Sequence, residues 1–468
     1  MADGLVVDQA KVVAELDKEF VPAALWHRAY DKRCEADAGS RDILIGLGRP
    51  DGTMFHYSMR VLSDRPENAA LTLKAVERVV KCLLWQKGGS KIYIGGAPEV
   101  GAALAKIYAE DGARAFDWEL VGRKIYDDDM CVISCERGDI PVEKDVALPL
   151  GRHLKGCRIG FDLGGSDRKC AAVIDGEVVF SEEVKWDPYF EKDPEYHYQG
   201  IQHSLKLAAE HLPRVDAIGG SAAGVYVDNE PRVASLFRGV SEEDFAEKVR
   251  PMFKRLKQEW NDIPFDVVND GEVTALAGAM SLNDTSLLGV AMGTSEAAGY
   301  CDDSGSITTW LNELAFTPVD YRENGPEDEW AGDMGCGVQY FSQQAVARLM
   351  PAAGIECDDK MPLPERLELV QQLMAEGDSR AAKIYDAIGI YLGYSLAWYA
   401  EFYAIKHLLL LGRVTSGEGG QIIIRKAEEV LAAEFPALRE QISISMPDEK
   451  MKRHGQAIAA ASLSALSE

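Results

Sequence analysis

The chain has 468 residues, 47% of them hydrophobic and 27% charged, a composition of globular proteins and a length for two or three domains with sizeable cores. Its formal net charge of −26 argues against non-specific nucleic-acid binding, which rests on cations that neutralise phosphates. The absence of an apolar run of about eighteen residues argues against a membrane span. The start, Met1 to Asp8, lacks the basic and apolar stretches of a signal peptide, and nine scattered cysteines without a CxxC pair read as reduced thiols. The expected location is the cytoplasm.

Residues 1–152 read as an α/β region of unknown role, and residues 153–468 as a second unit. The join, near 138–151, is rich in turn formers. In the first region a strand, a Gly/Pro turn and a second strand span 42–57, followed by a helix at 68–86 and a strand at 91–97. The later unit has the similar order of glycine hairpin, helix and strand. The first region is therefore either a degenerate repeat of that unit or an unrelated one. Its turn, 46–52, has no carboxylate at the strand end, so no second nucleotide site is expected there.

From residue 157 the pattern alternates. Strands are expected at 157–163, 169–175 and 177–185, a helix at 198–212, a strand at 215–219, a helix at 241–260 and a strand at 264–268. A helix opens after Asp270, and strands follow at 286–292 and 297–301. Helices are expected at 335–350, 363–375, 380–404, 419–434 and 454–466, with short strands at 406–411 and 442–445. Strands alternating with helices predict sheets covered by helices.

Four segments carry the chemistry. The first ends a strand at Asp162 and turns through Gly164, Gly165 and Ser166, either an ordinary glycine hairpin or a backbone cradle for phosphate with Asp162 placed to hold Mg²⁺. The second is Asn269-Asp270 between a strand and a helix, where Asp270 is either a helix cap or a general base facing a substrate hydroxyl. The third, Gly293, Thr294 and Ser295, bends between two strands and would cradle the outer phosphates. The fourth runs from an apolar strand into Gly412, Ser416 and Gly417 before a helix, a platform for adenosine.

In this order and at these separations the segments resemble the ROK family of sugar kinases and related repressors, over about 156–468. The family's DxGGT start matches Asp162-Leu-Gly-Gly-Ser166, its GxxxPGxVD segment resembles 219–228 around Gly224, and its catalytic NDxNxAA motif corresponds to Asn269–Ala275. The GTGxGGG loop resembles Gly293–Gly299, with several glycines lost, and GEIGH aligns with 312–316, keeping Glu313. The resemblance implies a two-lobed ribonuclease H-like, actin-like ATPase fold with mixed sheets covered by helices. It implies ATP and Mg²⁺ as cofactors and phosphorylation of a sugar or sugar-like hydroxyl. Asp270 would be the base, and Asn269, Glu313 and Gly224 would be the acceptor contacts.

The chain also departs from the family. Phe316 stands at the zinc-binding histidine, the cysteine cluster keeps only Cys336, and Val338 replaces a sugar-binding glutamate. One thiolate does not make a tetrahedral zinc site, so no zinc is expected. The acceptor is expected to differ from glucose, or catalysis to be lost, which gives the alternative of a non-catalytic nucleotide- or sugar-binding member in sensing or assembly. The expected partner is a small sugar-like molecule, with neither nucleic acid nor membrane, and a homodimer is compatible. Asp333, near the lost metal segment, reads as structural first and as a substrate contact second. His407 and the aromatic stretch 398–403 read as structural.

Overall fold

A computed structural model describes residues 5–144, 150–447 and 455–466. Part of the expected join, Leu148-Pro149, and the first residue of the expected closing helix lie outside the described residues. Fifteen strands, β1 to β15, are described. Strands β1 (Arg41–Gly48), β2 (Met54–Val61), β3 (Lys91–Gly95) and β4 (Cys131–Cys135) form a four-stranded sheet ordered β2-β1-β3-β4. Strands β5 (Cys157–Leu163), β6 (Asp167–Ile174), β7 (Glu177–Lys185), β8 (Ala217–Ala222) and β11 (Phe265–Asn269) make a second sheet, ordered β11-β8-β5-β6-β7. Strands β9 (Val225–Val227) and β10 (Glu230–Val233) form a separate ribbon. The last sheet, β13-β12-β14-β15, uses β12 (Leu287–Met292), β13 (Glu296–Cys301), β14 (His407–Leu411) and β15 (Ser443–Ser445).

The second sheet is mixed. A parallel half, β11-β8-β5, carries the antiparallel hairpins β5-β6 and β6-β7. The last sheet repeats this with an antiparallel β12-β13 hairpin and parallel β12-β14-β15. Two lobes with one mixed sheet each, covered by helices, are the architecture expected. In the first region, by contrast, β3 runs antiparallel to β1, whereas β8 runs parallel to β5. The similar order of elements therefore folds into two different topologies.

Apolar residues of 5–130 share one core with residues of the last sheet and of helices Ser379–Tyr399 and Glu418–Glu434. A second core fills the β5–β8–β11 lobe, and a third lies under helix Asp270–Leu282 and the closing helix Gln456–Ala461. The closing helix lies directly on the second sheet. A side chain at Gly160 or Gly219 would strike the backbone of Ala457 or Ala460, so the alanines and glycines of this contact set its closeness.

Two expected helices are broken. The 241–260 segment divides into Glu242–Asp244, a wider turn Phe245–Val249, and Met252–Glu259, because Pro251 has no N–H to continue the ladder. The 335–350 segment is a short turn at Gly337–Gln339 and a helix at Gln343–Leu349. Between them Ser342 is extended, and its Oγ accepts the Gln344 N–H at 3.0 Å. The helix expected to reach 404 ends at Tyr399, and the closing helix is shorter than expected among the described residues. Helices Ala23–Ala36 and Pro98–Ile107, and strands β4, β9 and β10, were not expected.

Candidate active site

Parallel pairing brings three strand ends level. Asp162 on β5 is opposite Ser221 on β8, which is opposite Val268 on β11, and one residue on Leu163, Ala222 and Asn269 align. Asp162 and Asn269-Asp270, about a hundred residues apart in sequence, therefore emerge at the same carboxyl edge. Ser221 Oγ donates to Asp162 Oδ1 at 2.7 Å. Sequence reasoning did not single out Ser221. Its signal is the small-residue end of an apolar strand in register with the carboxylate.

Asn269, not Asp270, caps the helix. Its Oδ1 accepts the Gly271 N–H at 2.7 Å, while its Nδ2 donates to the Gly224 carbonyl at 2.7 Å. Asp270 is the first helical residue, half-buried, and its Oδ1 accepts from Gly271 N–H at 3.0 Å. Gly224 has φ +120°, and a Cβ there would meet Val233 and Ala234, so no other residue fits this bend. Asn269, Gly224 and Asp270 are thus one hydrogen-bonded unit.

Carboxylates crowd behind this unit. Burial, and then the Asp162 charge, push Asp270 up to about 6. Burial also raises Asp162, against its hydrogen bond from Ser221. Glu313 is pushed up to about 7 by burial and by Asp270, and Glu296 to about 8 by burial and by Glu313. Glu272 reaches about 8 through burial, although Asn312 Nδ2 donates to it at 3.3 Å. Asp162, Asp270 and Glu313 are half-buried, whereas Glu272 and Glu296 are closed off from solvent.

The first region holds Asn312 and Glu313 in place. The end of helix Pro66–Lys87 offers its Gln86 and Trp85 carbonyls to the N–H groups of Asn312 and Glu313, at 3.0 and 2.9 Å. Phe316 packs, with tilted rings, against Trp85 at 4.2 Å between ring centres and against Phe116 at 5.5 Å. Cys336 Sγ faces the Phe316 carbonyl at 3.6 Å, and Val338 is buried. Among the described residues, no group of three or more His, Cys, Asp or Glu stands ready for a metal ion.

Asp333 is buried among cations. Arg78, Lys81 and Arg114 surround it at 3.1, 3.4 and 2.8 Å, with Lys81 also on Asp117 at 2.9 Å and Arg114 on Glu77 at 2.7 Å. Burial would raise Asp333, but Arg78 and Lys81 outweigh it and hold the carboxyl below its ordinary value. No local pattern reveals this network, because its cations lie some 220–255 positions upstream.

The glycine turns divide between the lobes. Gly164 closes the first by its N–H to the Asp167 carbonyl at 2.9 Å, and Trp186 Nε1 donates to the Gly164 carbonyl at 2.7 Å. The Tyr189 hydroxyl fills the space beside Gly165, and Ser166 Oγ donates to Asp167. In the other lobe the Gly293 N–H bonds to the Ser295 carbonyl at 2.9 Å, with Thr294 and Ser295 exposed at the tip. Gly412 packs on the Met292 backbone, beside Gly293, since β14 pairs with β12; Ser416 and Gly417 follow it, exposed, before helix Glu418–Glu434. The structure therefore unites Asp162 with Asp270, and Gly293 with Gly412. Helix Asp270–Leu282 links the lobes, its first turn lying on the β13 backbone at Ala298 and Gly299.

Other singled-out groups are structural. His407 pairs with Asp284 and Ser443 at 2.8 Å each, and Trp398 stacks on His27. All nine cysteines are free thiols. No helix of the described residues is long and apolar enough to cross a membrane.

No protein-family model and no curated protein matches the sequence. Among solved structures, the chain is similar to the ROK hexokinase from Thermus thermophilus, with a TM-score of 0.52 and 17% identity over 66% of this chain and 98% of that one. It is also similar to a ROK-family transcriptional regulator, a homologue of the E. coli MLC protein, with a TM-score of 0.50 and 17% identity over 66% of this chain and 78% of that one. The architecture of this chain is the two-lobed fold that these ROK proteins share.

Proposed function

We propose that this chain is an ATP-dependent cytoplasmic kinase that phosphorylates a hydroxyl of a sugar or sugar-like molecule, with Asp270 as general base. The observation that carries this reading is the position of Asp270. It is half-buried at a helix start between the lobes, one strand-end away from Asp162, with its carboxyl raised towards neutrality. A carboxylate near the working pH takes a proton from an attacking hydroxyl effectively.

Asp162, oriented by Ser221, would hold the Mg²⁺ that accompanies the nucleotide. Bound Mg-ATP supplies the phosphoryl group and the neutralising charge for its transfer. Backbone N–H groups of Gly164, Gly165, Ser166, Gly293, Thr294 and Ser295 would hold phosphates, and Gly412, Ser416 and Gly417 the adenosine side. Glu313 would contact the acceptor. Asn269, whose amide is engaged by Gly271 and Gly224, would position Asp270 and Gly224 against it. Phe316 packs against Trp85 and Asp333 is held by cations, so zinc is assigned no role.

A second reading has one observation in its favour: the same fold serves a transcriptional regulator. In that case the chain binds nucleotide or a small ligand without catalysis, in sensing or assembly, and a homodimer is compatible with either reading. The charge of −26 supports a small-molecule partner over nucleic acid.

The test is ATP consumption against a panel of sugars. Asp270→Asn should lower kcat by about 10²–10⁴-fold while Mg-ATP still binds by calorimetry. Equal turnover by the variant would remove Asp270 from the base role. Turnover by neither protein, with Mg-ATP bound, would favour the non-catalytic reading.

A further inference from the structure

The ribbon β9–β10 stands between the first region and the strand that ends at Asn269-Asp270, and it is fastened to both. Toward the strand, its two-residue turn Asp228-Asn229 has φ of +52° and +60°, a hairpin turn that Asp and Asn accept. Asn229 Nδ2 donates to the Phe265 carbonyl at 2.9 Å, and its Oδ1 accepts the Val267 N–H at 2.7 Å. These bonds hold the ribbon along β11, an edge strand of its sheet. The chain enters the ribbon at Gly224, whose carbonyl accepts from Asn269. Tyr226 on β9 packs against Phe253 at 5.9 Å between ring centres, and burial and then the Asp270 charge raise its hydroxyl.

Toward the first region, Val225, Val227 and Val233 pack against the core that residues 5–130 share with the β12–β14 lobe. Alternate strand residues face opposite ways, so Tyr226 and its neighbouring valines divide between the two cores. Strand β10 lies beside the helical turn Trp118–Ile125. Just beyond that turn, Asp127 Oδ2 accepts from the Arg232 and Arg250 guanidiniums. Arg232 belongs to β10, and its side chain is only 10% exposed. Glu230 completes the group, pairing with Arg232, Lys254 and Arg250 at 3.0, 2.6 and 3.7 Å. Asp127 is itself placed by Ile125 and Met130, both buried in the shared core.

On the kinase reading above, we infer that Asp127 is a positioning residue for Asp270, acting through the ribbon. The first region is built into the lobe that carries the Gly293–Ser295 turn, whereas the ribbon holds β11 and its Asn269-Asp270 end. Asp127 joins the two, and so sets the separation between the base and the phosphate turn of the opposite lobe. Phosphoryl transfer depends on that separation, because its rate rests on holding the attacking and leaving groups in line.

The test removes the charge without disturbing the backbone. Asp127 has φ of +52°, a conformation asparagine adopts readily, so Asp127→Asn keeps the turn. Arg250→Gln breaks the same contact from the other side. Amide exchange of the full chain without ligand, read by mass spectrometry, should quicken about two- to tenfold in each variant, at 224–233 and also at 265–270. The double variant should exchange no faster than the quicker single, as one shared contact requires. Raising NaCl from about 0.05 to 0.5 M should quicken these segments in the parent chain more than in Asp127→Asn. Where a sugar of the panel is turned over, Asp127→Asn should lower kcat about three- to tenfold, with KM for Mg-ATP and Tm unchanged.

Exchange at 265–270 equal to that of the parent chain would overturn the inference, because the contact would then end at the ribbon. An unchanged kcat would overturn it too, as would a fall in kcat matched by a fall in Tm, which would make Asp127 a general prop of the fold. Turnover of no sugar would count against the kinase reading alone, and quickened exchange at 265–270 would still support the tie from Asp127 to Asp270.

Discussion

Glu296 and Glu272 are neutral acids inside the fold at pH 7, each pushed to about 8 chiefly by burial. In the unfolded chain a glutamate ionises near its ordinary 4.5. Between these values the unfolded state has lost a proton that the folded state keeps. Stability therefore falls as pH rises from about 4.5 to 8, by roughly 1.4 kcal/mol per unit for each such group, and levels off above. Glu296→Gln should flatten its share of this slope and be more stable than the parent chain at pH 8. Urea unfolding of both proteins at a series of pH values checks this, and parallel curves would show that Glu296 is not buried as an acid. Gly224→Ala is expected to disturb the same site from the backbone side, because its φ of +120° and the contact with Val233 reject a side chain. Its cost should be about 1–3 kcal/mol, with activity falling together with stability.

At the scale of elements, helix Pro66–Lys87 and the loop around Asp333 are joined by the buried network of Arg78, Lys81 and Arg114. Removing one charge from such a network leaves the others incompletely paired in a low-dielectric interior. Asp333→Asn should thus cost about 3–5 kcal/mol, read as a drop in Tm, whereas replacing an exposed ion pair such as Arg413–Glu368 should change Tm little. Ser342→Ala should cost about 1 kcal/mol by removing the cap on helix Gln343–Leu349. Most strands were legible in sequence because their apolar runs end in glycine turns, but β4, β9 and β10 were not. The 241–260 helix was misread because its apolar spacing continues through Pro251, and the backbone obeys the missing N–H instead. Asn269 and Asp270 were both found, but their division of labour was not, since the cap depends on which side chain bends back to Gly271.

For the whole molecule, the consequential finding is that residues 5–130 share one core with the β12–β14 lobe. Trp85 and Gln86 supply the carbonyls that hold Glu313 and Asn312, so the first region buttresses that wall of the candidate site. Deleting residues 1–152 should leave a chain that exposes apolar surface, binds a hydrophobic dye and lacks a cooperative thermal transition. A soluble, cooperatively folding remainder would show that the lobe closes its core alone.

The α/β alternation, the hairpin at Asp162 and the pair Asn269-Asp270 were legible from residue order, because strand ends, glycine turns and helix starts are written locally, whereas the two lobes were implied only by the family resemblance. The meeting of Asp162 with Ser221 and Asp270 depends on parallel register across three strands. The crowding of Glu313, Glu296 and Glu272 depends on how helix Asp270–Leu282 lies on β13. The network around Asp333 depends on a helix some 250 residues earlier. These are long-range packing choices, made by burying apolar faces together. No local pattern states which buried carboxyl, among the described residues, is left without a partner.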